Sequence, residues 1–405
     1  MKKTLKISLF LIIAMGGLWV VYGLMARPHI TASYVTDFYM IRLTKIICVI
    51  FFILFISNFI RWTPSRIALI VGVVFSLVLM TSMELIARVV VKDGALFDRT
   101  FPDNYLSRDK TGLKIPNPGK FRSVSVSRVT KKVLYDVIYT IDDFGRRVTP
   151  IQNKDGRGKF ILFLGCSYTY GEGVQDDQTL PAYVGALTDK YMPYNYGFHG
   201  RGPHDVLALL DKIDFKKELP QRNGILIYTF MLDHINRSVG SMSIVDWNHD
   251  HVYYARNTKK DFERVGTFET ACPIQTKLYL FLRKSSFLKL LHVSLPRIGH
   301  QQITLTADLI NAAKTRFLNQ YPQGKFIVNI YPPLDNHERI IFKQMISELK
   351  NRNILYLDHD KLFGNEESKY VLSKEDPHPS AFAYKTLAES IVSSLNLNGP
   401  LIREW

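Results

Sequence analysis

Cysteine is scarce: Cys48, Cys166 and Cys272 are the three in 405 residues. Three thiols make no disulfide framework and no paired metal motif, and Cys48 falls in an apolar run, so at most one pair is left. Redox compartment stays open on this count. Acidic residues are also in deficit, 36 against 52 lysines and arginines, giving a net charge of +16. Yet no RNP, zinc-ligand or basic-helix pattern accompanies that charge, and the basic residues are scattered, which excludes nucleic acid as the partner. A chain lying against anionic lipid accounts better for it. Small-x-small cleavage signals are missing after the first apolar run, so the MKK start reads as a retained anchor rather than a signal peptide.

What the sequence has in plenty is apolar residues in its first quarter. Residues 7–25, 46–60 and 67–83 form three apolar runs, the first about long enough to cross the roughly 30 Å hydrocarbon layer and the second extendable backwards past Lys45. The third closes on Glu84 and Arg88. Lys2, Lys3 and Lys6 precede the first run, and Arg61 and Arg66 flank the RWTPSR turn between the second and third. Arg27, Arg42, Lys45, Arg88 and Lys92 lie on the opposite side. That charge balance places the N-terminus in the cytoplasm and everything after residue 91 outside it. The expected division is a transmembrane region of about three helices over 1–91, a linker with a small β element over 92–150, and an α/β domain over 151–405. Within the middle part, 92–119 reads as polar linker and VLYDVIYTI, Val133–Ile141, as a strand followed by DDFGRR at 142–147.

From 159 onwards strands and helices alternate. Strands are predicted over 159–164, 194–197, 224–230, 326–331 and 354–357, and helices over 179–190, 205–213, 307–319, 338–350 and 381–395. This spacing indicates right-handed crossovers and a parallel sheet covered on both faces, with five strands in a flavodoxin-like order. Residues 237–302 interrupt the rhythm with a predicted hairpin over 243–254 and a basic amphipathic helix over 276–292. In that helix Lys277, Arg283, Lys284 and Lys289 oppose Leu278, Leu282 and Leu288. The insertion would hang over the site as a cap; its helix would pack on the core or lie on the bilayer.

The organising stretch is KFILFLGCSYTYGEGV at 159–174. A buried strand ends at Gly165, and Ser167 lands in the turn beyond, where open α/β sheets build their sites. GCSYTYGEGV resembles the first block of the SGNH (GDSL-type) hydrolases, with Cys166 where the family more often has Asp. The resemblance implies an SGNH hydrolase fold, a three-layer α/β/α sandwich, and Ser167 as nucleophile. A serine needs a base, most often histidine. EDPHPS resembles the family's last block, which makes His378 the base, Asp376 the acid that orients it and Glu375 the reserve acid. YNYGFHGRGP resembles the second block and implies Gly200 as an oxyanion donor beside the Ser167 N–H. In the third block the family has Asn, whereas this chain has Asp233 and His234; either His234 donates, Asn236 reaches in, or the site is weakened. The FGRR stretch is similar to an N-x-x-G-F-R element of membrane-anchored members.

Two histidine-rich triplets, His249–Asp250–His251 and Asp358–His359–Asp360, match no zinc or calcium loop, so no metal is assigned. His359 is the second candidate for the base. The implied function is a membrane-anchored serine esterase or O-acyltransferase. It would act without cofactor on ester-linked acyl (acetyl) groups of a polysaccharide or lipid, with membrane lipid as the other partner. The alternative is a catalytically weakened SGNH-fold module that binds glycan or lipid.

Overall fold

The computed structural model describes residues 63–91, 96–108, 112–259, 261–333, 335–364 and 366–398. The expected spans at 7–25 and 46–60 lie outside the described residues. The chain divides into two units, Met1–Ile86 and Ala87–Trp405. Helix α1, Pro64–Val90, starts with proline at its first position, where no N–H is needed. It outruns the apolar stretch predicted for 67–83, because Glu84 and Arg88 in its last turns do not break a helix. Ala68–Val90, 23 residues, is long and apolar enough to cross a membrane, alone in this among the described residues.

In the second unit an N-terminal β element comes first: β1 (Phe97–Thr100), β2 (Leu106–Arg108), β3 (Lys114–Pro116), β4 (Gly119–Ser127) and β5 (Val133–Ile141). β1, β4 and β5 form an antiparallel sheet and β2 pairs with β3. The stretch 92–119, read as linker, therefore contains short strands, hidden by their polar and proline-rich composition. Arg147 then makes isolated bridges to both Ile141 and Asn195, which stitches this element to the main sheet.

The main sheet is built from β6 (Lys159–Leu164), β7 (Tyr191–Asn195), β8 (Gly224–Phe230), β11 (Lys325–Ile330) and β12 (Leu355–Asp358), with β9 (Val252–Arg256) and β10 (Phe262–Thr267) paired in the insertion. Its order is β7-β6-β8-β11-β12, all parallel, the flavodoxin-like arrangement. β6 has the apolar, branched and aromatic makeup of a strand buried on both faces, and it alternates strictly. Phe160, Leu162 and Leu164 enter one core, and Ile161 and Phe163 the other. The first core is closed by α4 (Pro203–Lys212), α7 (His300–Gln320) and α8 (Asn336–Asn351), the second by α3 (Leu180–Ala186) and α9 (Ala381–Ser394). The remaining labelled helices are α2 (Ser167–Tyr170), α5 (Asp233–Val239) and α6 (Pro273–Leu282).

Differences from expectation are local. β7 starts at Tyr191 rather than 194, since an edge strand tolerates Pro193. The predicted hairpin at 243–254 is instead a turn of helix, Val245–Asn248, leading into β9. The single helix over 276–292 is two, α6 and Ser286–Leu290, because the Ser285 hydroxyl caps the second by accepting the Leu288 N–H at 3.2 Å.

Candidate active site

The strand-to-helix turn that carries Ser167 is shaped by glycine. Gly165 has φ +148°, and a Cβ there would lie 2.3 Å from Thr169 Oγ1. Its close approach lets α2 begin at once, with Ser167 at the first helical position and nearly buried. The loop behind it is held by Arg147. That guanidinium donates to the carbonyls of Tyr170 (2.9 Å), Gly171 (2.5 Å) and Val174 (2.7 Å) and to Asp176 Oδ1 (2.9 Å). It also lies over the rings of Tyr139 and Tyr170. The basic turn after β5 thus clamps the nucleophile loop from below, a role that the FGRR stretch did not spell out.

His378 reaches Ser167 from the loop before α9. Its Nε2 is 2.9 Å from Ser167 Oγ and its Nδ1 is 2.5 Å from Asp376 Oδ1. The His378 backbone N–H also donates to Asp376 Oδ1, at 3.1 Å. With Nδ1–H donating to the carboxylate, Nε2 is left as acceptor for the serine hydroxyl. Burial acts to raise the Asp376 carboxyl, but the His378 ring and backbone N–H groups and the Arg99 charge outweigh it and hold it below the usual carboxylate range. Glu375 directs its backbone N–H to Ser373 Oγ at 3.1 Å, whereas Asp376 holds the imidazole. Tyr168, the residue after Ser167, fixes the loop by donating its hydroxyl to the Pro377 carbonyl at 3.1 Å.

The oxyanion expectations fare unevenly. Among the described residues the N–H groups of Ser167 and Gly200 have no acceptor within the protein. Gly200 takes φ +73°, with Trp247 and His251 where a Cβ would go. His234, expected as a third donor, is fully buried, stacked on Tyr228 with Nδ1 2.6 Å from that hydroxyl and beside Phe230. Those neighbours belong to the first core, whereas Cys166 and Tyr168 belong to the second. Its pKa is driven well below the ordinary range by burial, then by the Arg237 charge. The reason is that α5 starts at Asp233, which turns the next residue inward. Asp233 itself accepts from Arg237 Nη2 at 2.9 Å and from Asn236 Nδ2 at 3.2 Å, so neither Asp233 nor Asn236 is spare.

Asp233→Asn, which would place here the Asn of the SGNH third block, is accordingly expected to destabilise. Arg237 is buried, and losing its counter-ion costs about 1–3 kcal/mol once the partial exposure of Asp233 is discounted. A thermal shift of less than a degree would contradict this.

Three groups near the pair were not legible beforehand. Glu172, fully buried between Gly171 and Gly173, places Oε2 3.4 Å from His378 Nε2 and 2.6 Å from His199 Nδ1. Arg99, delivered by β1, forms an ion pair with the other oxygen of Glu172. His199 Nε2 is 3.0 Å from the Tyr105 hydroxyl, and burial, then Arg99 and His378, push its pKa well down. The glycine-flanked Glu172 was in plain view in GEGV; Arg99 had no sequence signal.

The histidine-rich triplets separate. His251 leaves its triplet to join His204 and Asp205, the three placing ligand atoms within 4.8 Å of one another, all buried. Asp205 Oδ2 accepts the Gly202 N–H at 2.8 Å and lies 3.0 Å from His251 Nδ1, and Lys114 Nζ is 3.0 Å from His251 Nε2. With Lys114 donating to Nε2, His251 Nδ1–H donates to Asp205, whose carboxylate thereby ties this loop together by hydrogen bonds. His359, the second candidate base, bonds Asn329 Oδ1 (2.8 Å) and Ser390 Oγ (3.1 Å), and burial lowers its pKa to about 4. It is a core histidine. A cavity of 380 Å³ lined by Lys159, Tyr191, Ile225 and Ile327 sits at the amino ends of the strands, away from Ser167.

No family model matches the chain, and no curated protein matches it. Among solved structures it is similar to a member of the lipolytic G-D-S-L family from Veillonella parvula, at 14% identity over 59% of this chain and 98% of that one, TM-score 0.34. It is also similar to an acetyl xylan esterase from the rumen bacterium Butyrivibrio proteoclasticus, at 11% identity over 61% and 66%, TM-score 0.34. A lipase/acylhydrolase from Enterococcus faecalis matches at 13% identity over 58% and 95%, TM-score 0.32. These superpositions are loose, and the functional reading rests on the site's own geometry.

Proposed function

We propose that the chain is a membrane-anchored SGNH-type serine hydrolase that removes or transfers ester-linked acyl groups, acetyl among them, of a polysaccharide or lipid. The observation that carries this is the relay Asp376–His378–Ser167, at 2.5 and 2.9 Å. Ser167 Oγ attacks the ester carbonyl carbon as its proton passes to His378 Nε2, and Asp376 stabilises the imidazolium without taking the proton. The negative oxygen that forms faces the Ser167 and Gly200 N–H groups. Collapse expels the alcohol, which leaves with the proton from His378. Water, or an acceptor hydroxyl, then gives its proton to His378 and attacks the acyl-enzyme, and His378 returns that proton to Ser167 Oγ as the acyl group leaves. Anchoring is assigned to α1, with the α/β domain outside the cytoplasm.

One observation favours the second reading, a binding module with a weakened site: the expected amide donor is replaced by the Asp233–Arg237 pair. A fluorophosphonate probe separates the two. Ser167 is expected to displace fluoride and become phosphonylated, with labelling lost in Ser167→Ala and reduced at least 10³-fold in His378→Ala. Unlabelled, folded wild-type protein would leave only the binding reading.

A further inference from the structure

The insertion carries a surface that the acyl-transfer chemistry does not use. From residue 270 to 307 the chain has no Asp or Glu, while Lys277, Arg283, Lys284, Lys289 and Arg297 all fall within it. α6 opens this stretch. Its inner side is fixed: Tyr279 packs on Met242 and Val245, the Thr276 hydroxyl donates to the Phe268 carbonyl at 3.1 Å, and Arg283 donates to the Ser243 carbonyl and pairs with Asp246 at 3.0 Å. Its outer side is apolar. Ile274, Leu278 and Phe281, one stripe at i, i+4 and i+7, are 84%, 50% and 73% exposed. Leu291, 55% exposed, follows on the next segment. The sequence expectation grouped Leu278, Leu282 and Leu288 on one apolar face; Leu282 is partly buried, whereas Leu278 belongs to this exposed stripe.

Lys277 on the same helix and Lys284 in the turn that follows it are also exposed. Exposed large apolar side chains beside exposed lysines, on a helix anchored by its inner side, form the pattern of an element lying in a bilayer interface. The apolar stripe would enter the acyl boundary and the ammonium groups would meet phosphates. The nearest acids do not oppose this, since Asp246 is spent on Arg283 and Glu269 precedes the helix.

We propose that this face of the insertion, centred on Ile274, Leu278 and Phe281, docks on a lipid surface containing anionic phospholipid. It is a second lipid contact, separate from α1. Membrane anchoring supplies proximity to a bilayer, and the proposal rests on the anchored reading for that alone. A docked insertion would hold the α/β domain in a fixed attitude to the lipid, as an enzyme with membrane-borne substrate requires.

The test uses the full chain in nanodiscs of phosphatidylcholine with and without 30% phosphatidylglycerol. An environment-sensitive fluorophore is placed at Ile274→Cys, in a Cys48→Ser, Cys272→Ser background, with Lys154→Cys as the solvent-exposed control. The expected result is a blue-shifted emission at 274, quenched by spin-labelled lipid, in the anionic discs and reversed by high salt, with no change at 154. Lys277→Gln together with Lys284→Gln should weaken the anionic-disc response about 30-fold in lipid titration. A water-like signal at 274 in correctly assembled anionic discs overturns the proposal. So does a blue shift in detergent without lipid that grows with protein concentration, since that means a second copy covers the face. If the chain does not enter discs the anchored reading fails instead, and flotation with phosphatidylglycerol vesicles then decides the surface, with no flotation overturning it.

Discussion

Asp376→Asn is expected to lower kcat by roughly 10⁴ with KM little changed. The carboxylate accepts both the ring N–H and the backbone N–H of His378 through Oδ1, at 2.5 and 3.1 Å. An amide of the same size keeps the packing but can turn its NH₂ toward Nδ1, which selects the tautomer whose Nε2 carries the proton. That imidazole cannot accept from Ser167. It also withdraws the negative charge that steadies the imidazolium, a charge held in the native site because the His378 donors and Arg99 outweigh burial. Glu375→Gln is the control, expected to stay within a factor of a few, because that side chain does not hold the imidazole. Loss confined to kcat marks a transition-state role; a matched fall in folding stability and labelling would mark a merely structural one. Equal, small losses in both variants would remove Asp376 from the relay.

How far the sequence carried these assignments depended on whether the signal was local. β6 and β8 were read to the residue because a strand buried on both faces is a continuous apolar run between breakers. Asp376 and His378 are two residues apart, so their contact is nearly dictated by the chain, and the topology then brings that loop to the strand end where Ser167 sits. His234 was misread for the opposite reason. Alignment to a motif placed it at the right distance along the chain, but an α-helix beginning at Asp233 turns consecutive residues about 100° apart and sent the imidazole into the core. Arg99 meets Glu172 from 73 residues away on a strand too polar and short to stand out, and Glu172 and His199 meet from separate loops 27 residues apart. Glu172 matters chemically even so: a buried carboxylate 3.4 Å from Nε2 is a further negative group facing the imidazolium as it forms.

Arg147→Met should disable the site without touching a reacting atom. The native guanidinium is 1% exposed and satisfies three carbonyls of the loop that follows Ser167, those of Tyr170, Gly171 and Val174. Methionine fills much of the volume but donates nothing, so the Val174 carbonyl loses its donor at about 1–3 kcal/mol. The Tyr170 and Gly171 carbonyls keep only Asn195 Nδ2 and the Val174 N–H, at 3.2 and 3.4 Å. Asp176, whose side chain is 17% exposed, loses its ion pair with Arg147 as well and keeps the Thr140 N–H. A total of roughly 2–4 kcal/mol is a large share of a domain's stability, and it falls on one loop. The loop is also tied by the Gly171 and Glu172 N–H groups to the Ser167 carbonyl, at 2.9 and 3.1 Å, so loosening it displaces Ser167 itself. A displacement near 1 Å is worth about 10² in rate. Fluorophosphonate labelling is therefore expected to slow by 10² or more, and hydrogen exchange should speed at residues 170–174 while the amides of β8 and β11 stay protected. Arg147→Lys should recover little, because one ammonium cannot span three carbonyls and a carboxylate as a planar fork does. Retained labelling with unchanged exchange in the methionine variant would mean that the glycine turns, rather than the arginine, hold the nucleophile in place.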